Sequence, residues 1–394
     1  MMPKLSKNLW SSYLNRVCRH IFSLSLLIGG VFTAVGATGE VIDKSQPYRV
    51  DVELTGFPDS VKMVLTDFHV YGDTAMLIDG KASFSIDIAE DYPVHLRIAG
   101  PLPISPGYRN IWLMGQNGYH EKVTGDISQF NCNKVKFEGA PWSADMNSWS
   151  EAVSDKWAEE NRMRDSLADA YGTPRERQLI LKVRQVTREC DSMIVAYAME
   201  HPNTYFGLWR AIGVMKRFPK EWMKTVYDGL NPEFRNCYYG EVLRRYLSNK
   251  QIEIGDSLAD YDIEGDLDGI PFKLSDLKKD YIAVIFTQRG CGPCIMMKNE
   301  IANLDYSDKI AIVGCSIDEH REEYDMVKRG ANGAFPVVWV GPGGRESEAC
   351  LKYSVNTIPH LFIFGPDRKL VLSTIGYRDG KAKRIFDEIL SKRK

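Results

Sequence analysis

Two cysteines three residues apart, Cys291 and Cys294, enclose Gly292-Pro293 in a chain of 394 residues that holds 8 cysteines. Some pair at this spacing arises by chance in roughly one such chain in six, but requiring Gly and Pro between them lowers that to under about one in a thousand. The pair follows closely on a continuous apolar run, Tyr281 to Thr287, and opens a segment of helical character. At a helix start the first thiol meets unsatisfied backbone N–H groups and the positive end of the helix dipole, which favour thiolate over thiol. The second, one turn further in, is shielded and within reach to form a disulfide. The spacing suits a redox pair, in which Cys291 attacks a partner's disulfide and Cys294 resolves the mixed disulfide.

Two other uses of the pair stand beside this one. A structural zinc site could draw on Cys291, Cys294, Cys315 and His320. Against it, Cys315 lies inside an apolar strand, where neighbouring side chains alternate faces. A plain structural disulfide is the other, although a loop this small stabilises little. No metal and no cofactor is expected. Of the remaining cysteines, Cys315 reads as a small buried hydrophobe and Cys350, before a proline-containing loop, as a candidate regulatory thiol. Pairing between Cys190 and Cys237 is left open, and Cys132 has no assigned partner.

Composition bounds what must position the pair. With 44% hydrophobic and 26% charged residues the chain is neither disordered, collagen-like nor an array of membrane spans. Its 50 basic and 52 acidic residues give no reason to expect nucleic acid. The charge is uneven, however: Lys4, Lys7, Arg16 and Arg19 all precede the first acid, Glu40, and the apolar run Ile21 to Val35 follows them. A run of fifteen residues is short for a membrane span and suits a secretory signal, with Val35-Gly36-Ala37 as cleavage site. An uncleaved N-terminal anchor is the alternative, and either reading exports the rest of the chain. A lipoprotein fits less well, because Cys18 precedes the apolar run. Removing residues 1–37 takes those four positive charges from a net charge of −2 and leaves −6.

From Tyr48 to about Gly139 the hydrophobic period is two, as in Tyr48, Val50, Val52, Leu54 and in Ala82, Phe84, Ile86, Ile88. Further short runs occur at Val61 to Leu65, Val94 to Ile98, Ile111 to Met114 and Val135 to Phe137, and Asp79-Gly80 is a hairpin signal. After Pro141 the period becomes helical, clearest in Pro174 to Glu200, where Thr173 reads as N-cap and Pro174 as first helical residue. His201-Pro202 and Asn231-Pro232 read as helix boundaries. From Gln251 strands and helices alternate: Tyr281 to Thr287, Ile310 to Ile317, Val337 to Val340, Leu361 to Phe364 and Leu370 to Thr374, with helices beginning near Cys294, Glu319, Glu346 and Lys381. Such alternation implies an α/β domain with a mixed sheet.

The stretch from about Ile254 to Lys394 resembles a thioredoxin-fold domain of the TlpA type, the exported thiol-disulfide oxidoreductases. The resemblance is carried by Ile254-Gly255-Asp256, Asp268-Gly269, Leu274-Ser275-Asp276-Leu277, the apolar strand, Cys291 to Cys294, Tyr353 to Pro359, Leu361 to Phe364 and Gly365-Pro366-Asp367. It implies that Pro359, 65 residues after Cys294, is a cis proline beside the pair, and that the backbone of Ile358 pairs with a substrate segment as a short strand. The front half resembles an architecture common in exported proteins of Gram-negative anaerobes, whose N-terminal domain has no assigned activity; it reads as a placement or partner-binding module. The fold expected is multidomain α+β: residues 1–37 a signal peptide, 40–140 an N-terminal antiparallel β-sandwich, 141–250 a helical segment, and 251–394 a C-terminal thioredoxin-like α/β domain with a central mixed sheet.

The sequence also departs from that family. Gly290, after Arg289, stands where many relatives have an aromatic residue. Ile285 falls where thioredoxins keep a buried acid, Met297 where a glutamate and Asn299 where a kinking proline often follow the motif. No obvious carboxylate is left to take the proton from Cys294. Gly292, Pro293 and His360, the last standing where Thr commonly follows the cis proline, are candidate modulators. The resulting expectation is an exported enzyme of the periplasm or cell envelope that reduces or exchanges disulfides of exported proteins, served by an upstream thiol or membrane electron donor. Two rivals remain: a cell-envelope binding or scaffold protein with a redox-idle thioredoxin-like domain, and an AhpC/TSA-type peroxidase. The peroxidase chemistry wants Thr three residues before its cysteine, where this chain has Gln288.

Overall fold

A computed structural model describes residues 42–58, 60–67, 71–100, 110–130, 133–258, 273–306, 308–329, 335–341 and 343–391. Residues 1–41, where the export signal and Cys18 were expected, lie outside the described residues, as do Cys132 and Asp268-Gly269. Residues 43–394 form one compact unit.

Among the described residues the front half holds eight strands: β1 (Tyr48–Thr55), β2 (Val61–Thr66), β3 (Gly72–Leu77), β4 (Lys81–Ile86), β5 (Val94–Ala99), β6 (Asn110–Gly115), β7 (His120–Asp126) and β8 (Lys136–Glu138). They make two four-stranded sheets, ordered β4-β1-β7-β8 and β3-β2-β5-β6. Alternation decides which residues turn inward: Tyr48, Val50, Val52 and Leu54 of β1 are buried, as are Ala82, Phe84 and Ile86 of β4. Where β3 turns into β4, Asp79 and Gly80 both take positive φ, 49° and 73°. A Cβ on Gly80 would stand 2.6 Å from the Leu54 carbonyl, so only glycine fits that turn.

One pairing corrects the antiparallel expectation. β1 runs parallel to β7, with Arg49 opposite His120 and Thr55 opposite Asp126. A parallel neighbour needs a long return connection, and here the chain between them builds β2 to β6 before coming back.

The middle of the chain supplies the helices. After the short α1 (Ile127–Phe130) come α2 (Ser143–Asp169), α3 (Glu176–Glu200), α4 (Tyr205–Val214), α5 (Lys220–Asp228), α6 (Pro232–Asn236) and α7 (Tyr238–Ser248). Asn231 caps α6, its side chain accepting from the Phe234 N–H at 3.0 Å, with Pro232 following it. The expected start of α3 shifts: its N-cap is Arg175, because the Thr173 hydroxyl donates to the Ala170 carbonyl and its own carbonyl closes a turn onto the Glu176 N–H. Trp149, Cys190, Ile194 and Phe206 share one apolar core with Tyr48, Leu96 and Leu113 of the strands. The change of texture near residue 141 therefore divides two kinds of secondary structure that fold around a common core.

Glu121 stitches these layers together. It is fully buried on β7 and accepts hydrogen bonds from the Tyr48 hydroxyl at 2.6 Å and the Ser143 hydroxyl at 2.6 Å, with the Trp142 indole N–H at 3.4 Å. Those three donors favour the carboxylate, but loss of water outweighs them and pushes the Glu121 pKa up to about 7.

The C-terminal strands are β9 (Tyr281–Thr287), β10 (Ile310–Ser316), β11 (Val337–Trp339), β12 (His360–Phe364) and β13 (Leu370–Ile375), in the order β11-β10-β9-β12-β13. β9, β10 and β11 are mutually parallel; β12 runs antiparallel to both its neighbours, so the sheet is mixed. Helices α8 (Gly292–Ala302), α9 (Arg321–Arg329) and α11 (Lys381–Ser391) supply residues to the core on one face, and α10 (Glu348–Lys352) to that on the other. That is why β9 is a continuous apolar run: Ile282, Val284 and Phe286 fill one core, Tyr281, Ala283 and Ile285 the other. Cys190, Cys237, Cys315 and Cys350 are free thiols. Burial pushes the Cys190 thiol up to about 12 and raises that of Cys350, whose side chain is wholly enclosed, so Cys350 lacks the exposure a regulatory thiol needs.

Between pH 4.5, the ordinary value, and about 7 the folded protein keeps a proton on Glu121 that the unfolded chain releases. This contribution to stability is therefore complete below 4.5 and lost as the pH rises through 7. It is worth at most about 3 kcal/mol. E121Q cannot ionise, so in urea unfolding at pH 5 and pH 8 the wild type should lose more stability on going to pH 8 than the variant does. Parallel pH dependences would show that Glu121 is already ionised at pH 5.

Candidate redox site at the end of the central strand

Strand β9 ends at Thr287, and four residues later the chain enters α8 through Cys291. Gly290, at φ 72°, makes the bend, and the Cys291 N–H donates to the Gln288 carbonyl at 3.3 Å. Cys291 is the N-cap of α8: its backbone is extended and its sulfur accepts from the Cys294 N–H at 3.2 Å. Pro293 sits in the first turn, where its missing N–H leaves no helical bond unmade. Cys291 and Cys294 are joined in a disulfide with a Cα–Cα distance of 5.2 Å. Cys291 is half-buried, whereas Cys294 is only 5% exposed. Around the pair Gly292, Pro293, Ile295 and Met296 are exposed, the last two at 53% and 55%, and give the site an apolar rim.

The second segment meets this one from across the sheet. Because β12 is antiparallel to β9, with His360 opposite Phe286, its start lies at the same sheet end as the exit from β9. Pro359 immediately precedes β12; it is buried, its peptide bond to Ile358 is cis, and its carbonyl accepts from the Gly376 N–H at 2.7 Å. Ile358 is half-buried. Cys291, Cys294, Ile358 and Pro359 are thus brought to one end of the sheet by two adjacent strands.

His360 is the candidate that the structure turns elsewhere. It shares a face of β12 with Phe362, the rings 4.0 Å apart, whereas Leu361 and Ile363 face α8 and α11. Its Nε2 meets the Ser373 hydroxyl at 2.8 Å, while Nδ1 is enclosed without a hydrogen-bond partner. Loss of water pushes its pKa down to about 4, and the positive charges of Lys381 and Lys216 add to the shift. His360 is a neutral imidazole at physiological pH, on the face opposite the helix that carries the pair.

Ile285 and Met297 meet in the apolar cluster beneath α8, so the two positions at which the resemblance raised the question of an acid hold apolar side chains. An acid does support the site, and sequence reading missed it. Asp318 is fully buried just beyond β10, and its carboxylate accepts from the Arg289 N–H at 3.0 Å and from the Ser316 hydroxyl. Its carbonyl accepts from the Trp339 indole at 2.6 Å. Asp318 so pins the loop two residues before Cys291, and the Arg289 guanidinium reaches Glu323 at 3.4 Å. The signal was an aspartate two residues after Ser316 at the end of a strand, which puts both on one side. Cys315, the third ligand of the zinc alternative, lies in the apolar core with Val313 and Ile317, away from the pair.

No protein-family model matches the chain, and no curated protein sequence matches it. Among solved structures, a thiol:disulfide interchange protein DsbE described from Chlorobium tepidum is 22% identical, with 36% of this chain and 98% of that one covered and a TM-score of 0.31. The thioredoxin domain of a thiol-disulfide oxidoreductase from Bacteroides vulgatus is 20% identical over 35% of this chain and 98% of that chain, TM-score 0.30. A thiol:disulfide interchange protein from a Bacteroides species is 20% identical over 35% and 88%, TM-score 0.29.

For His360 the expectation is specific. In a histidine NMR titration its ring signals should stay unchanged from pH 8 down to pH 5.5 and move only near pH 4. A midpoint near the ordinary value of 6.5 would mean that the ring is solvated and its place in the sheet is wrong.

Proposed function

We propose that the chain is a thiol-disulfide oxidoreductase with a thioredoxin-like C-terminal domain, acting on disulfides of exported proteins. The observation that carries this reading is the disulfide between the N-cap residue of α8 and Cys294 in its first turn. In the reduced form the N-terminal dipole and the Cys294 N–H favour a thiolate on Cys291. That thiolate attacks one sulfur of the substrate disulfide; the substrate S–S bond breaks, a mixed disulfide forms, and the departing substrate thiolate takes up a proton. Cys294 then gives up its proton and attacks the Cys291 sulfur, which releases the second substrate thiolate. The substrate gains two electrons, the pair is oxidised to the disulfide, and a dithiol or membrane electron donor restores it.

The remaining roles follow from chemistry at the same sheet end. The backbone of Ile358 is the docking edge for an extended substrate segment, with Pro359 beside the sulfurs. Gly292 and Pro293 shape the exposed turn. With apolar side chains at Ile285 and Met297, neither position offers Cys294 a carboxylate, and its proton leaves by way of solvent or the departing thiolate. The apolar run near the N-terminus, as an export signal or anchor, supports an extracytoplasmic site of action in the periplasm or cell envelope. The two front sheets are read as a β-sandwich-like module that places the enzyme or binds a partner.

The test combines activity with trapping. Wild-type protein should reduce a disulfide-containing model protein in the presence of dithiothreitol; C291A should fall by at least about 100-fold. C294A should accumulate a mixed disulfide with substrate proteins in an envelope extract, abolished by C291A. If wild type fails to reduce the model protein and C294A captures nothing, the domain is redox-idle and the protein acts by binding.

A further inference from the structure

Between α4 and α5 the chain makes a single tight turn, Met215–Arg217, and from it Lys216 reaches out of the helical segment into the C-terminal domain. Its ammonium donates to three backbone carbonyls: Arg345 at 2.9 Å, Cys350 at 3.1 Å and Val355 at 2.9 Å. An ammonium has three hydrogens, and here each has a carbonyl. These acceptors are 129, 134 and 139 residues away in sequence, on either side of α10 and within it. Burial lowers the Lys216 pKa to about 8, which still leaves the group charged at neutral pH.

What Lys216 holds is the lead-in to Pro359. Val355 to Ile358 belong to no strand, so their carbonyls have no ladder partner. Instead the Val355 carbonyl takes Lys216, and the Asn356 carbonyl takes the Arg345 guanidinium at 2.6 Å. Just before them Ser354 adopts a positive φ of 51°. On the other side of the same contact, Leu351 of α10 is packed in the core of the front half, and the Tyr238 hydroxyl of α7 donates to Glu346 at 3.3 Å. The segment that ends in Ile358 packs on the C-terminal core through Val355 and Ile358, and its Val355 carbonyl is held in addition from the helical segment.

We propose that Lys216 is a positioning residue for protein substrates: by fixing the Val355 carbonyl it holds the Ile358 backbone where an extended polypeptide beside a disulfide can dock. The inference rests on the thiol-exchange reading and adds that the helical segment takes part in substrate selection. A small disulfide, which offers no backbone to pair, does not need this support. A polypeptide does.

The experiment uses the full chain with two substrates, insulin and 5,5′-dithiobis(2-nitrobenzoate), and the variants K216M and K216R. K216M should raise the KM for insulin about tenfold, as expected for loss of a charge-assisted hydrogen bond. Its kcat, its rate with the small disulfide and the reduction potential of the Cys291–Cys294 pair should stay within about twofold of wild type. K216R should recover most of the insulin KM, and amide exchange in K216M should quicken at residues 353–358 alone. Should K216M not fold, K216Q carries the same comparison. An unchanged insulin KM, or equal losses with both substrates, overturns the positioning role. Wild-type protein inactive with both substrates overturns the thiol-exchange reading, and this role with it.

Discussion

The structure turns on a junction: a strand buried on both faces stops, and within four residues the chain starts a helix whose cap is a cysteine. Because β9 is fixed by apolar packing on each side, its end has little freedom, and the helix that follows inherits that rigidity. The sulfur of Cys291 therefore occupies a defined place at the start of α8, beside the Cys294 N–H. Asp318 secures the loop from the neighbouring strand by holding the Arg289 N–H. The chemistry proposed for the pair needs little more than this, since both cysteines sit at the start of α8 and the sheet brings Pro359 to the same end.

The rest of the molecule bears on that junction through the loop before Pro359. Strands and helices of the front half share one core, Glu121 ties them through Tyr48, Trp142 and Ser143, and Lys216 extends the connection to the Val355 carbonyl. A single buried carboxylate and a single ammonium thus join segments that are remote in sequence. Such groups are costly to bury unless hydrogen-bonded, and each has its partners in place.

Much of this was legible beforehand where a local pattern carries it. Period-two alternation located β1 and β4, short apolar runs located β2, β5, β6 and β8, and the motif with its helix start located Cys291 and Cys294. β3 escaped because its apolar residues, Ala75, Met76 and Leu77, are consecutive and do not alternate, and only Leu77 is buried. β7 escaped because only Val123 supplies an apolar side chain to the core, its other buried position being the acid Glu121. The parallel pairing of β1 with β7 depends on the order in which the sheets close, which no local pattern records. Asp318 and Lys216 were invisible for a related reason: each acts on the backbone of a distant segment. His360 could be placed beside Pro359 from the sequence, but its face follows from the register of β12.

The central claim, that the cap of α8 makes Cys291 the reactive sulfur, can be tested by alkylating the reduced protein with iodoacetamide at pH 7 and mapping the products over time by mass spectrometry. The account predicts that Cys291 is modified first, well ahead of Cys294 and of Cys190, Cys315 and Cys350, and much faster than the same cysteine in the unfolded chain. Modification of Cys291 no faster than in the unfolded chain, or Cys294 reacting first, would contradict it.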